Sequence, residues 1–260
     1  METDMQPKFD GLYNFRDIGG LVTKDGRKIK TGVIFRSDEL SKLSKQDLHK
    51  MAQLNIKMVC DLRTLREQKS KPSKITDEHG VKVIKISFQD QSQEFTHFQF
   101  FKFLAGRSGG IDFLEVMENL YRQMAFDSGK QIREIMVQLS NEDQLPALIH
   151  CTGGKDRTGF VSAFIQLLAG ASIDDVTDHY LISNELIGPR MKKIERLIRY
   201  FSLFRVSSEQ LKPVLEVRRE YLLEVYEEML KKYGTFEKYA EEVCGINQGH
   251  IEKLKQNLLV

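Results

Sequence analysis

The chain contains no tryptophan, and it has only 3 cysteines and 5 prolines in 260 residues. Cys60, Cys151 and Cys244 are too few and too scattered to build a disulfide framework. They fit a reducing compartment best, so a cytoplasmic location is expected, although a secreted chain trimmed of its signal shares the pattern. Charge of one sign is also missing. Lys and Arg total 39 against 37 Asp and Glu, a net of +2. Nucleic-acid binders usually carry a strong basic excess, so no nucleic-acid partner is expected. No stretch approaches the ~18 consecutive apolar residues of a membrane-spanning helix. Residues 1–12 lack the basic-then-apolar order of a secretory signal. Pro/Gly/Ser linkers, low-complexity tracts and solenoid-period repeats are absent too, so residues 1–260 are expected to form a single domain with a continuous core. Nothing in the sequence indicates an oligomeric state.

What is present alternates between strand and helix signals. Asp25-Gly26 separates two extended runs and predicts a hairpin turn. Residues 44–54 predict a short helix whose start carries Ser44 and Asp47 in a capping pattern. Residues 56–62 and 81–87 predict strands. Residues 95–140 read mainly as helix, interrupted near residues 106–110. Residues 146–150 form a short apolar run, expected as a buried strand. Residues 160–168 are helical and stop at Gly170, and a second cap begins at Ser172. Helix then follows helix, with breaks expected near Gly188-Pro189, Pro213, Gly234 and Gly245. The pattern implies an α/β fold: a central, mainly parallel sheet flanked by helices, with a helical C-terminal half.

The informative segment is His150-Cys-Thr-Gly-Gly-Lys-Asp-Arg-Thr-Gly159, set between an apolar strand and an apolar helix. A glycine-containing loop closed by a helix N-terminus is a phosphate cradle, because its backbone N–H groups converge on an anion. Gly153 and Gly154 permit the curvature. Thr152 and Lys155 complete the expected phosphate-binding set with Asp156 and Arg157. Loop amides, helix dipole, Lys155 and Arg157 all stabilise a thiolate at Cys151, which makes it a nucleophile. Arg157, six positions on, can curl back and grip two phosphate oxygens. Asp156 is the leading candidate to protonate the leaving oxygen and then activate water. Thr158 can hydrogen-bond the sulfur, and His150 can brace the loop through backbone groups. A nucleotide-binding Walker loop would need Gly where Ile149 stands and Ser or Thr where Asp156 stands.

These residues resemble the atypical bacterial protein-tyrosine phosphatases with an HCxxGKDRTG signature, which include dual-specificity and phosphoinositide phosphatases. Asn14-Phe-Arg-Asp-Ile-Gly-Gly20, Phe35-Arg-Ser-Asp38 and Asp61-Leu-Arg63 with Glu67 resemble further family motifs. So do Arg219-Glu-Tyr-Leu222 and Tyr233-Gly-Thr-Phe-Glu-Lys-Tyr239, whereas residues 90–145 carry little of the pattern. The resemblance implies a phosphatase fold, hydrolysis through a phosphocysteine and no metal or other cofactor. It implies Cys151 as nucleophile, Arg157 as clamp and Asp156 as in-loop acid, and it links Lys155 with lipid phosphates. The implied partners are phosphoprotein or phosphoinositide substrates.

Other residues carry competing readings. Asp90 is the rival acid, in a polar loop after a predicted strand. Asp61 and Arg63 read either as support for the phosphate site or as an ordinary ion pair, and Arg16-Asp17 invites the same two readings. Cys60 reads as a buried strand residue or as a redox partner of Cys151. The aromatic run 95–104 reads as core or as a cover over the pocket. The basic residues Arg190, Lys192, Lys193, Arg196 and Arg199 read as a solvated helix face or as a surface for anionic lipid or acidic phosphopeptide. An inactive phospho-ligand-binding module is the alternative to an enzyme, and a reductase or sulfurtransferase ranks below both.

Overall fold

The computed structural model of the protein describes residues 7–88 and 112–260. Five strands form one sheet: β1 (Arg16–Asp17), β2 (Ile34–Ser37), β3 (Met58–Asp61), β4 (Lys82–Lys85) and β5 (Ala147–His150). Their spatial order is β1-β2-β5-β3-β4, with β1 antiparallel to β2 and the other pairings parallel. β5 therefore runs through the middle, and the loop after it leaves the sheet at the carboxyl ends of the four parallel strands. Open parallel sheets bind ligands at such a point.

Side-chain alternation decides what each face of the sheet meets. Phe35, Val59 and Leu148 turn to one face and join Leu40, Leu43 and Met51, the last from α1 (Lys45–Gln53). Ile34, Met58, Cys60, Ala147 and Ile149 turn to the other, larger core. That core is completed by α3 (Phe113–Phe126), α4 (Gly129–Leu139), α5 (Arg157–Ala169) and the C-terminal helices. The short α2 (Leu65–Ser70) follows β3. The C-terminal half is helical: α6 (Ile173–Phe201), α7 (Ser208–Leu215), α8 (Arg219–Tyr233), α9 (Phe236–Glu242) and α10 (Gln248–Leu258).

The local signals behave as their chemistry requires. Ser44 and Asp47 form a reciprocal capping box at α1, and Ser172 caps α6 by accepting from the Asp175 N–H. Gly26 turns the hairpin at φ +85°, and Gly170 ends α5 at φ +105°. Two expected breaks are corrected: Pro189 sits inside α6 and Pro213 inside α7. A proline removes one helix hydrogen bond, but the inward face of α6 continues in register past it through Met191, Ile194 and Ile198. Packing outweighs that single loss. The break falls instead after Phe201, where Leu203 and Phe204 adopt φ of +52° and +58°.

Candidate active site

The loop between β5 and α5 is wedged against β2. Gly154 has φ +65°, and a methyl group added there would lie 2.5 Å from the Ser37 carbonyl oxygen. Asn14 Nδ2 donates to the Gly153 and Gly154 carbonyls at 3.2 and 2.8 Å, and Arg36 Nη2 donates to the Gly154 carbonyl at 2.6 Å. In a trans peptide, a carbonyl drawn to one side sends the following N–H to the other. The Gly154 N–H accordingly meets Cys151 Sγ at 3.2 Å. α5 starts at Arg157, so the sulfur lies in a loop that ends at the positive end of a helix.

Arg157 is held by Glu67 of α2. Its Nη1 donates to Glu67 Oε2 at 2.6 Å and to the Leu62 carbonyl at 3.4 Å, while Nη2 donates to Glu67 Oε1 at 2.9 Å. A guanidinium has five N–H donors, so Nε–H and the second Nη2–H remain. Those two share one edge, the fork that spans two phosphate oxygens. Asp156 is the N-cap residue of α5, yet its carboxylate makes no capping bond. It accepts instead from Lys155 Nζ at 3.0 Å and from the Tyr121 hydroxyl at 3.2 Å. A thiol, an arginine fork and a carboxyl group thus meet in one loop.

The sequence model of the tyrosine phosphatase family matches residues 7–260. The chain belongs to the tyrosine phosphatase family. It is 29% identical to the triple specificity protein phosphatase PtpB of Mycobacterium tuberculosis, over 96% of this chain and 97% of that one. It is 24% identical to a tyrosine-protein phosphatase of Nostoc commune, over 60% of this chain and 49% of the relative. Among solved structures, the Siw14 catalytic core aligns at 17% identity and a TM-score of 0.39, over 80% of this chain and 93% of that one. The protein is a protein-tyrosine phosphatase.

The electrostatics of this phosphatase site follow from burial and pairing. Burial works against the Glu67 carboxylate, but the Arg157 guanidinium and the Thr152 hydroxyl outweigh it and hold Glu67 down to about 2. Burial likewise opposes the Arg157 charge, and Glu67 and the Cys151 sulfur together raise that guanidinium above its ordinary range. Beneath the loop, Arg36 is fully buried, and its Nε and Nη1 have no hydrogen-bond partner among the described residues. Burial pushes its pKa down to about 10, less than it otherwise would because a negative Cys151 sulfur favours the charged form. Arg36 is thus a cation beneath the loop that also orients it through the Gly154 carbonyl.

The supporting residues fall around this cup. Asp61 and Arg63 form a closed bidentate pair at 2.9 and 2.7 Å, and Arg63 also donates to the Lys71 carbonyl at 2.7 Å. The pair lies at the end of β3 beside His150, whose Nε2 is 3.7 Å from Asp61 Oδ1. His150 Nδ1 lies 3.4 Å from the Cys151 carbonyl, and burial pushes the ring down to about 4, so it is neutral near pH 7. Thr158 is buried and its hydroxyl has no partner among the described residues. Arg16 does not reach for Asp17: it bonds Asn14 Oδ1 at 2.5 Å and Ser183 Oγ at 2.9 Å, backing the residue that holds the loop. Cys60 is a free, buried thiol that burial pushes up to about 12.

Asn14, Arg36, Glu67 and Tyr121 bond to the loop, and the sequence assigned them no role. Tyr121 of α3 also bonds Tyr180 of α6, so two buried phenols stand behind Asp156. Asn14, Arg36 and Glu67 do sit inside the motif segments, which was the available signal. Tyr121 had none. Asp90 and the aromatic run 95–104 lie outside the described residues. Among the described residues, no three His, Cys, Asp or Glu side chains gather as a metal site.

Proposed function

We propose that this phosphatase hydrolyses phosphotyrosine, and also phosphoserine, phosphothreonine and phosphoinositides, through a phosphocysteine on Cys151. The observation that supports this best is the Gly154 N–H on Cys151 Sγ beside an arginine whose Nε edge is left for an anion. The Cys151 thiolate attacks phosphorus, the S–P bond forms and the P–O bond to the leaving group breaks. Asp156 gives its proton to the departing oxygen. Its carboxylate then takes a proton from water, whose oxygen attacks the phosphocysteine. The S–P bond breaks, inorganic phosphate leaves and the thiolate returns. Loop amides, Arg36 and Arg157 stabilise the charge on the transferring group throughout.

The geometry around Asp156 supports its role as acid over a capping role, since its side chain caps no N–H. Lys155 beside it adds a second cation in the loop, which suits a polyanionic headgroup as well as a phosphopeptide. The words "triple specificity" in the name of the mycobacterial relative accord with this breadth.

The test is a set of variants assayed with EDTA present. Cys151→Ser should lose at least about 10⁴-fold in kcat, because the attacking group itself is gone. Asp156→Asn should lose about 10²-fold on an alkyl phosphate and much less on an aryl phosphate with a good leaving group. Acid-quenched wild type should carry a phosphoryl group on the Cys151 peptide. Turnover surviving in Cys151→Ser would overturn the mechanism. Phosphopeptide binding with no turnover in the wild type would turn the protein into a reader of phosphate.

A further inference from the structure

The far end of α6 departs from the burial rule that holds elsewhere in the molecule. Leu197, Tyr200, Phe201, Leu203 and Phe204 are 56, 67, 70, 74 and 66% exposed. Apolar residues exposed singly are ordinary, but five within eight residues make a patch. The inward face of the helix is already satisfied, because Met191, Ile194 and Ile198 pack with Leu211 and Leu215 of α7. The exposed set is therefore surplus to the packing among the described residues. Leu203 and Phe204 are also held outward by left-handed backbone, in a turn closed by a 2.7 Å bond from the Phe204 N–H to the Arg199 carbonyl. Glycine is usual in such a turn. Bulky residues kept in that conformation point to a function.

The chemistry around the patch is cationic. Lys193, Arg196 and Arg199 line a shallow concavity of about 680 Å³ together with Leu197, Tyr200 and Phe204. Among the described residues, Lys192, Lys193 and Arg196 form no ion pair. Of the nearby carboxylates, Glu195 lies 3.9 Å from Arg199 and Glu209 2.7 Å from Lys212, while Glu185 and Glu216 line the adjoining groove and form no ion pair among the described residues. A second copy of the chain would set these same cations against each other. An anionic bilayer surface answers both features at once, since aromatic rings seat at the headgroup boundary and lysine and arginine meet lipid phosphates.

We propose that the α6–α7 end docks on anionic membrane surfaces, with Phe201, Leu203 and Phe204 entering the headgroup boundary and Lys192, Lys193 and Arg196 meeting the lipid phosphates. The attachment is peripheral, because no helix among the described residues is long and apolar enough to cross a membrane. It does not rest on the chemistry of Cys151.

The test is sedimentation of the full chain with phosphatidylcholine vesicles, with or without roughly one-third phosphatidylserine. Binding is expected to the anionic vesicles, weakened by salt, and slight to the neutral ones. Phe201→Ser/Phe204→Ser should reduce binding about tenfold or more. Lys193→Glu/Arg196→Glu should reduce it by at least about fivefold for each cation. Circular-dichroism melting reports that both variants fold, so failure of the catalytic reading leaves this test intact. No vesicle binding, or binding equal in both variants and wild type, overturns the proposal. So does a concentration-dependent dimer that Phe201→Ser/Phe204→Ser abolishes, or capture of polyglutamate peptide without capture of vesicles.

Discussion

Beneath the phosphate loop, Arg36, Asp61 and Arg63 are sealed from solvent, while at the end of α6 Phe201, Leu203 and Phe204 stand in it. Charge is buried in one region and apolar surface is exposed in the other, each against the ordinary preference. The backbone carries the same contrast. In the loop, a left-handed position is glycine, and β2 leaves no room for anything else. In the α6–α7 turn, two left-handed positions are leucine and phenylalanine. The difference teaches where the chain's own interactions end. Most departures in the cup are answered from within, Asp61 by Arg63, Arg157 by Glu67 and the loop carbonyls by Asn14 and Arg36, while Arg36 Nε and Nη1 and the Thr158 hydroxyl have no partner among the described residues. The departures at the α6 end are answered only in part: the Arg199 guanidinium lies 5.6 Å from the Phe204 ring, yet Phe201, Leu203 and Phe204 stay exposed.

The contrast is broken most directly at Gly154. Gly154→Ala forces the loop away from β2 and should lower kcat/KM on an aryl phosphate by at least about 10²-fold, together with a lower Tm. A rate within tenfold of wild type would show that the loop is not wedged there. Acid should be the next largest effect. His150 titrates near 4 when folded against 6.5 for the free side chain, so the unfolded chain binds the proton more readily. Its contribution is complete above about pH 6.5 and is lost as pH falls toward 4, on the order of 3 kcal/mol. His179, pushed down to about 3 by burial and Arg16, acts in the same sense. Urea midpoints between pH 7 and 4 should fall steeply, and less steeply in His150→Gln; parallel slopes would remove the buried imidazole from the account.

Glu67→Gln sharpens the comparison at the rim of the cup. With the fork on Arg157 no longer held by a carboxylate, kcat/KM should drop about tenfold, the scale of one charge-assisted bond. Because Glu67 titrates near 2, its contribution to stability is complete above about pH 4.5 and goes only as pH falls toward 2. The smallest effect, opposite in sign, is expected at the α6 end. Leu203→Gly relieves left-handed strain and should raise unfolding free energy by up to about 1 kcal/mol, read from denaturant melts. A loss there would mean that Leu203 makes a stabilising contact after all.

The sequence exposed the cup because its parts are contiguous: a strand, two glycines and Cys151 to Arg157 form the geometry from ten neighbouring residues. It hid the braces because they arrive from elsewhere in the chain. Asn14 and Arg36 reach the loop from more than a hundred residues away, and Tyr121 comes from a helix with no motif at all. The strand and cap signals at Ser44, residues 146–150 and Ser172 were local and legible for the same reason. Pro189 and Pro213 misled because a proline's local cost was weighed without the helix face that carries α6 and α7 through it. The true break, at Leu203 and Phe204, has no glycine to announce it.

The three cysteines have a practical consequence. Cys60 and Cys244 lie in the core with thiols pushed up to about 12 by burial, so near neutral pH they stay protonated and shielded. All three sulfurs are buried, and if Cys151 is the nucleophile that the proposed function requires, an alkylating reagent or peroxide should label it before Cys60 and Cys244. Uptake of one label per chain would count working molecules in a preparation, and its blockade by vanadate would count those with the anion site assembled.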